Sequence, residues 1–169
     1  MISQIELVSK DIIIVTANER AFAHLIGRGN IKIVHDIIPG MGSLGGIYTG
    51  LVESKTHQNL VVAADMPFLN KDLLQYMINA AKNYDFTLPH INEWYEPLHA
   101  IYSKNCIEPA KKIFGLGQKV IVELFKYVKV RFIEAEEIDR FDPRHLSFFN
   151  INTQQDKERA LKIIEGTGV

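Results

Sequence analysis

The run Asp11-Ile-Ile-Ile-Val-Thr16 is too short for a helix and too apolar for a surface strand. It predicts a strand buried on both faces, the kind that builds parallel sheets. Ile31-Lys-Ile-Val34 and Leu60-Val-Val-Ala-Ala64 repeat the pattern. Between these runs the sequence predicts a short helix over Ala21 to Ile26, a Gly- and Pro-rich loop from Asp36 to Gly46, and a helix from about Ile47 to Ser54. Pro67 lacks the amide that continued pairing would need, and Asn70 reads as the cap of a helix reaching Lys82. The alternation predicts an α/β fold, a mainly parallel Rossmann-like sheet with helices on both faces. Ligands of such sheets bind beyond the carboxyl ends of strands, where Thr16, Asp36 and Asp65 fall.

The second half is less regular. Phe86 to Pro89, Pro97 to Tyr102 and Val128 to Ile133 read as strands, Ile107 to Phe114 and Val120 to Tyr127 as helices. Thr153-Gln-Gln-Asp156 is a capping box opening a helix to about Glu165. No repeat, linker or low-complexity stretch divides the 169 residues, and one domain over 1–169 is expected, since domains commonly run to about 100–200 residues.

Nineteen basic and twenty acidic residues leave a formal charge of -1, which gives no global field for a nucleic-acid backbone or an anionic membrane. Phosphate recognition must then be local. Cys106 is the only cysteine, so neither an intrachain disulfide nor a thiolate metal cage is available within the chain. Apolar runs such as Leu60 to Ala64 fall far short of the roughly 20 residues of a membrane helix, and a cytoplasmic protein is expected.

Gly40-Met-Gly-Ser-Leu-Gly45 matches the spacing of a dinucleotide fingerprint, with Asp65 at the end of the next strand. Against that reading, His35-Asp-Ile-Ile-Pro39 separates strand from glycines, and Pro39 removes a donor where donors are wanted. A plain loop needing positive φ is the ordinary use of such glycines. Asp36 and Asp65, each ending a predicted strand, could instead face one crevice and hold an oxygen-seeking ion such as Mg²⁺ with phosphate ligands. A lone aspartate there serves equally as a turn or cap.

Four segments, in this order, resemble the MobA-like molybdenum cofactor guanylyltransferases. They are Asp36-Ile-Ile-Pro-Gly-Met-Gly-Ser-Leu-Gly-Gly46 (with Ser43 where the family usually has proline), Ala64-Asp-Met-Pro-Phe-Leu69, Glu96-Pro-Leu-His-Ala-Ile-Tyr102 and Asn150-Ile-Asn-Thr153. The resemblance implies a fold of the nucleotide-diphospho-sugar transferase type and transfer of GMP from GTP to molybdopterin, with pyrophosphate released and Mg²⁺ as cofactor. It makes Asp65 the metal-binding and catalytic carboxylate, and Thr16, Asp36 and Asp65 the nucleotide contacts. Glu96, His99, Asn150 and Asn152 fall on the acceptor side, with Trp94 and Tyr95 beside them as aromatic candidates for stacking on a pterin or for anchoring a loop.

The resemblance also implies GTP and molybdopterin as ligands and proteins of the molybdenum cofactor pathway as partners. Related enzymes that use CTP share much of the pattern. The family's opening strand and glycine-rich phosphate loop have no counterpart here, and residues 1 to 10 resemble the end of the helix that follows them. An N-terminally incomplete domain is expected, short of roughly thirty residues including a central strand, so that its sheet looks incomplete or rearranged. A descendant that binds without turnover is the rival expectation, and a NAD-binding module the third.

Overall fold

The structure, a computed structural model, describes residues 1–166. Seven strands run as β1 (Ile12–Thr16), β2 (Ile31–His35), β3 (Gln58–Val62), β4 (Phe86–Ile91), β5 (Trp94–Tyr95), β6 (His99–Ser103) and β7 (Val130–Glu134). The α-helices are α1 (Ile2–Ile5), α2 (Gly42–Glu53), α3 (Lys71–Ala80), α4 (Ile107–Gly115), α5 (Ala135–Ile138) and α6 (Gln154–Ile164). The segments expected as helices near residues 21 and 120 are 3-10 turns over Glu19–Leu25 and Ile121–Lys126.

The strands form two sheets. β1 and β2 pair in parallel, as their β-branched runs predict. The other five follow the order β3-β6-β4-β5, with β7 parallel to β4. β3 corrects the expectation of a buried parallel strand, because it pairs antiparallel with β6 and all five of its residues are only half-buried. An apolar run of this length has the same side-chain period in either orientation, so sequence alone could not choose. Among the described pairings, β1 and β3 each have a neighbour on one side only.

Helices cover both faces of the larger sheet. Alternation along β4 and β6 sends Phe86, Leu88, Ala100 and Tyr102 to one face, where Leu44, Ile47, Tyr48 and Leu51 of α2 and Ala110 and Ile113 of α4 enclose them. Ile101 and Ile133 point the other way, toward Leu73 and Met77 of α3 and Ile138 of α5. α2 also lies along β1, with Gly50 against Val15, so one helix spans both sheets. Asn70 caps α3 as expected, its Oδ1 accepting from the amides of Asp72 and Leu73 at 3.0 Å each. Thr153 and Asp156 form the expected capping box at the start of α6. Among the described residues no helix is long and apolar enough to cross a membrane.

Candidate functional site

Antiparallel pairing of β3 with β6 positions the acidic centre. Val62 lies opposite His99, and the next step is made by the Ala63 amide donating to the Leu98 carbonyl at 2.9 Å. Beyond it both chains turn, the Met66 amide donating back to the Ala63 carbonyl at 3.4 Å and the His99 amide to the Glu96 carbonyl at 3.1 Å, so Asp65 and Glu96 lie in the two turns at that end of the ladder. Both backbones are held. The Asp65 carbonyl accepts from the Ile151 amide at 2.9 Å, and the Glu96 amide donates to the Pro89 carbonyl at 3.1 Å. The buried Tyr102 hydroxyl donates to the Pro97 carbonyl at 2.7 Å, pinning the residue after Glu96.

The two carboxylates feel each other. Burial, and after it the charge of Asp65, raise the Glu96 carboxyl above its ordinary pKa, and no neighbouring cation or donor opposes the shift. Oδ1 of Asp65 is enclosed and meets no hydrogen-bond donor among the described residues. No group of three or more His, Cys, Asp or Glu side chains gathers there as a ready-made metal cage.

The Ile151–Asp65 bond brings the Asn150-Ile-Asn152 segment against the Asp65 loop, and Phe68 meets Phe149 edge-on with ring centres 5.7 Å apart. Asn150 is half-buried, its amide donating locally to the Phe148 carbonyl at 3.3 Å. Asn152 is exposed, with its backbone amide donating to Asp156 at 3.2 Å.

His99 is fully buried, its ring edge-on to Phe148 at 5.0 Å and neither nitrogen hydrogen-bonded. In this conformation it has no surface from which to meet an acceptor. Burial lowers its pKa to about 4, against a smaller opposing pull from Asp142.

Thr16 and Asp36 end the separate β1-β2 sheet, and among the described residues no hydrogen bond or ion pair joins them to the Asp65–Glu96 pair. The Thr16 hydroxyl accepts from the Asn18 amide at 3.0 Å, a local turn. Oδ1 of Asp36 accepts from the Ile38 amide at 2.9 Å and from the Thr49 hydroxyl at 3.0 Å. Thr49, wholly buried on α2, also accepts from the Ile37 amide at 3.1 Å. Sequence reading missed Thr49, because one threonine inside a helix carries no signal of a partner thirteen residues earlier.

The glycine segment also differs from the expected loop. α2 starts at Gly42 rather than near Ile47, so Gly45 and Gly46 are helical. A Cβ on Gly45 would sit 3.0 Å from the Ile38 carbonyl and 3.1 Å from Asp36 Oδ2. Its missing side chain thus admits the chain's own Asp36–Ile38 loop, whereas the third glycine of the dinucleotide fingerprint serves close packing of the helix on its strand. Gly40 does turn through φ +87°, as the plain-loop use requires.

At the tip of the β4-β5 hairpin Tyr95 stacks on His90 at 4.8 Å and meets Phe125 edge-on, so it anchors the hairpin. Trp94 beside it is 72% exposed.

A family model described as the MobA-like NTP transferase domain matches residues 1–130. The chain belongs to the MobA-like NTP transferases. A Methanosarcina mazei protein of this kind, named Probable molybdenum cofactor guanylyltransferase, is 37% identical over 133 residues, covering 78% of this chain. The chain spans only 59% of that relative's length. A Clostridium perfringens protein of the same name is 34% identical over 155 residues, covering 90% of this chain and 76% of its own length. Among solved structures, molybdopterin-guanine dinucleotide biosynthesis protein A from Archaeoglobus fulgidus superposes with a TM-score of 0.77 at 27% identity, over 91% of this chain and 78% of that one. A MobA-like NTP transferase is thus what sequence and fold both describe, and the NAD-module reading is set aside.

Proposed function

We propose that this chain transfers GMP from GTP to the phosphate of molybdenum-molybdopterin, giving the guanine dinucleotide form of the cofactor and pyrophosphate. The observation that carries the reading is the enclosed, donor-free Oδ1 of Asp65 at the sheet edge, in a chain whose relatives bear this enzyme's name. The reaction brings one phosphate anion against another, so charge must be neutralised and the attack held in line. Mg²⁺ is the ion the family implies, and Asp65, with an oxygen that has no protein partner, fits the hard oxygen ligand it requires. When bound, it would supply charge neutralisation and a clamp on the phosphates.

The chain's own residues divide the remaining work. Asp36, its Oδ1 engaged by Ile38 and Thr49, offers Oδ2 to guanine donors or ribose hydroxyls, with Thr16 on the neighbouring strand end. Asn150 and Asn152 stand on the acceptor side, held to the Asp65 loop through Ile151. Glu96 is assigned with them to the acceptor side, and the buried His99 keeps the start of β6 packed. The working place proposed is the cytoplasm, with other molybdenum cofactor proteins as partners.

Binding without turnover is the second reading. Unfolding temperature with GTP, CTP or NAD, each with Mg²⁺, tests the nucleotide assignment, because a ligand of the native state raises apparent stability. GTP should give the largest rise. A larger rise with CTP or NAD would refute it.

A further inference from the structure

We propose that the cavity between α6 and the turn at residues 144–149 binds a diphosphate group, held by Arg144, His145, Arg159 and Lys162. Its volume is about 450 Å³, inside the range of about 300–1,000 Å³ in which small-molecule sites fall. Half of the residues that line it are basic, and among the described residues no acidic one lines it. In a chain of formal charge -1, this concave surface is a local field of the kind that phosphate recognition needs. None of Thr16, Asp36, Asp65, Glu96, Asn150 or Asn152 lines the cavity, so the site stands apart from the transfer reaction proposed above.

Both walls are held from behind. On one side the buried Asp142 carboxylate accepts from the Leu146 amide at 3.1 Å and the Ser147 amide at 2.7 Å. The buried Ser147 hydroxyl accepts from the Asn70 amide at 3.2 Å, which ties the turn to the start of α3. His145 takes left-handed backbone, φ +53°, a conformation uncommon for any residue but glycine, and its Nε2 pairs with Asp139 Oδ1 at 2.7 Å. On the other side Arg159 holds its guanidinium over the Phe149 ring, 5.7 Å from the ring centre. Lys162 follows three residues later on α6, the spacing that puts two helical side chains on one face. The basic groups thus stand on elements fixed independently of any ligand.

The chemistry of these groups selects the ligand. Arg144 and Arg159 carry planar forks that match pairs of phosphate oxygens, and Lys162 adds a compact ammonium. One phosphate would leave most of so large a cavity empty, whereas a diphosphate presents enough oxygens to meet both walls. Free pyrophosphate and the diphosphate end of a larger molecule offer the same group.

Calorimetric titration of this chain with inorganic pyrophosphate, in a chelator so that no divalent ion takes part, tests the site. Wild type should bind one pyrophosphate. Arg159→Gln and Lys162→Gln should each weaken binding about 10-fold or more, the scale of a lost charge-assisted hydrogen bond. Arg159→Lys should weaken it as well, because the fork is lost while the charge stays. Lys157→Gln, which removes an exposed charge from the same helix outside the cavity, should bind as wild type does, and so should Asp65→Asn. ADP in a parallel titration separates the sources: tighter binding than pyrophosphate assigns the group to a larger molecule, weaker binding to free pyrophosphate. Nuclear magnetic resonance needs no variant, and pyrophosphate should shift the His145 ring signals while leaving those of the exposed His57 in place.

Absence of pyrophosphate binding by wild type would overturn the inference. Equal losses in Lys157→Gln and Arg159→Gln, or wild-type affinity in Arg159→Lys, would reduce the site to diffuse surface charge and overturn it too. Citrate binding as tightly as pyrophosphate would refute the phosphate assignment. Loss of binding in Asp65→Asn with none in Arg159→Gln would place the pyrophosphate at the transfer site instead, and that result would leave the transfer reading standing while sinking this one.

Discussion

The Ile151 amide donates to the Asp65 carbonyl at 2.9 Å. The bond ties the Asn150-Ile-Asn-Thr153 segment to the Asp65-Met-Pro-Phe-Leu69 segment, two motifs far apart in the chain. Through it the loop proposed to offer amides to an acceptor and the loop proposed to offer a carboxylate to a cation share one frame, and Phe68 against Phe149 closes the same joint.

Asn152→Ala should therefore impair use of molybdopterin more than binding of GTP. Its side chain is exposed and its backbone amide already serves Asp156, so the fold should be unaffected. A lost positioning hydrogen bond is worth about 1–3 kcal/mol when its partner is left buried and unsatisfied, roughly 5- to 150-fold in acceptor affinity. Calorimetric titration with each ligand would show it. Equal weakening of both would move Asn152 into the shared metal centre.

Thr49→Val should destabilise the protein by about 1–3 kcal/mol in urea unfolding, because the Ile37 amide and Asp36 Oδ1 lose the buried hydroxyl they share while the volume is kept. GTP affinity should fall with it, since Asp36 is then held by the Ile38 amide alone. Unchanged affinity would show that Asp36 does not contact the nucleotide.

Gly45→Ala tests the close approach over the Ile38 carbonyl. A methyl group 3.0 Å from that oxygen forces the loop outward, at a cost of about 1–3 kcal/mol. Urea unfolding compared with Gly46→Ala, where a Cβ meets nothing within 4 Å, isolates the effect.

Stability should fall as pH is lowered from about 6.5 to about 4, through His99. The native state keeps this ring neutral down to about pH 4, whereas the unfolded chain takes up its proton near the ordinary histidine value of 6.5. In that window the unfolded state binds more protons, so stability rises with pH and is complete above it, with a slope of up to about 1.4 kcal/mol per unit. His99→Leu, which removes two unpartnered nitrogens, should be nearly neutral at pH 7 and more stable than wild type at pH 5. Urea unfolding at both values decides, and parallel losses in the two proteins would place the pH dependence elsewhere.

Much of this was legible beforehand, for identifiable reasons. The Asn70 cap and the Thr153 box are local chemistry, and both helices begin where those residues predict. The strand at 31–35 showed in its β-branched residues. The start of α2 at Gly42 did not show, because glycines weaken a helix intrinsically and only packing against Ile38 and Asp36 explains them. The orientation of β3 was hidden by the common period of all strands. The gathering of Asp65 and Glu96 at one end of the β3-β6 ladder depends on that orientation, so this feature of the site became visible only with the structure.

The most direct test of the account is transfer of label from α-phosphate-labelled GTP to molybdopterin in the presence of Mg²⁺. It should be run on this chain with Asp65 intact and as Asp65→Asn. The account predicts labelled guanine dinucleotide cofactor from the chain with Asp65 intact, with little or none from Asp65→Asn although it remains folded. Undiminished transfer by Asp65→Asn, or no labelled product from the chain with Asp65 intact, would contradict it.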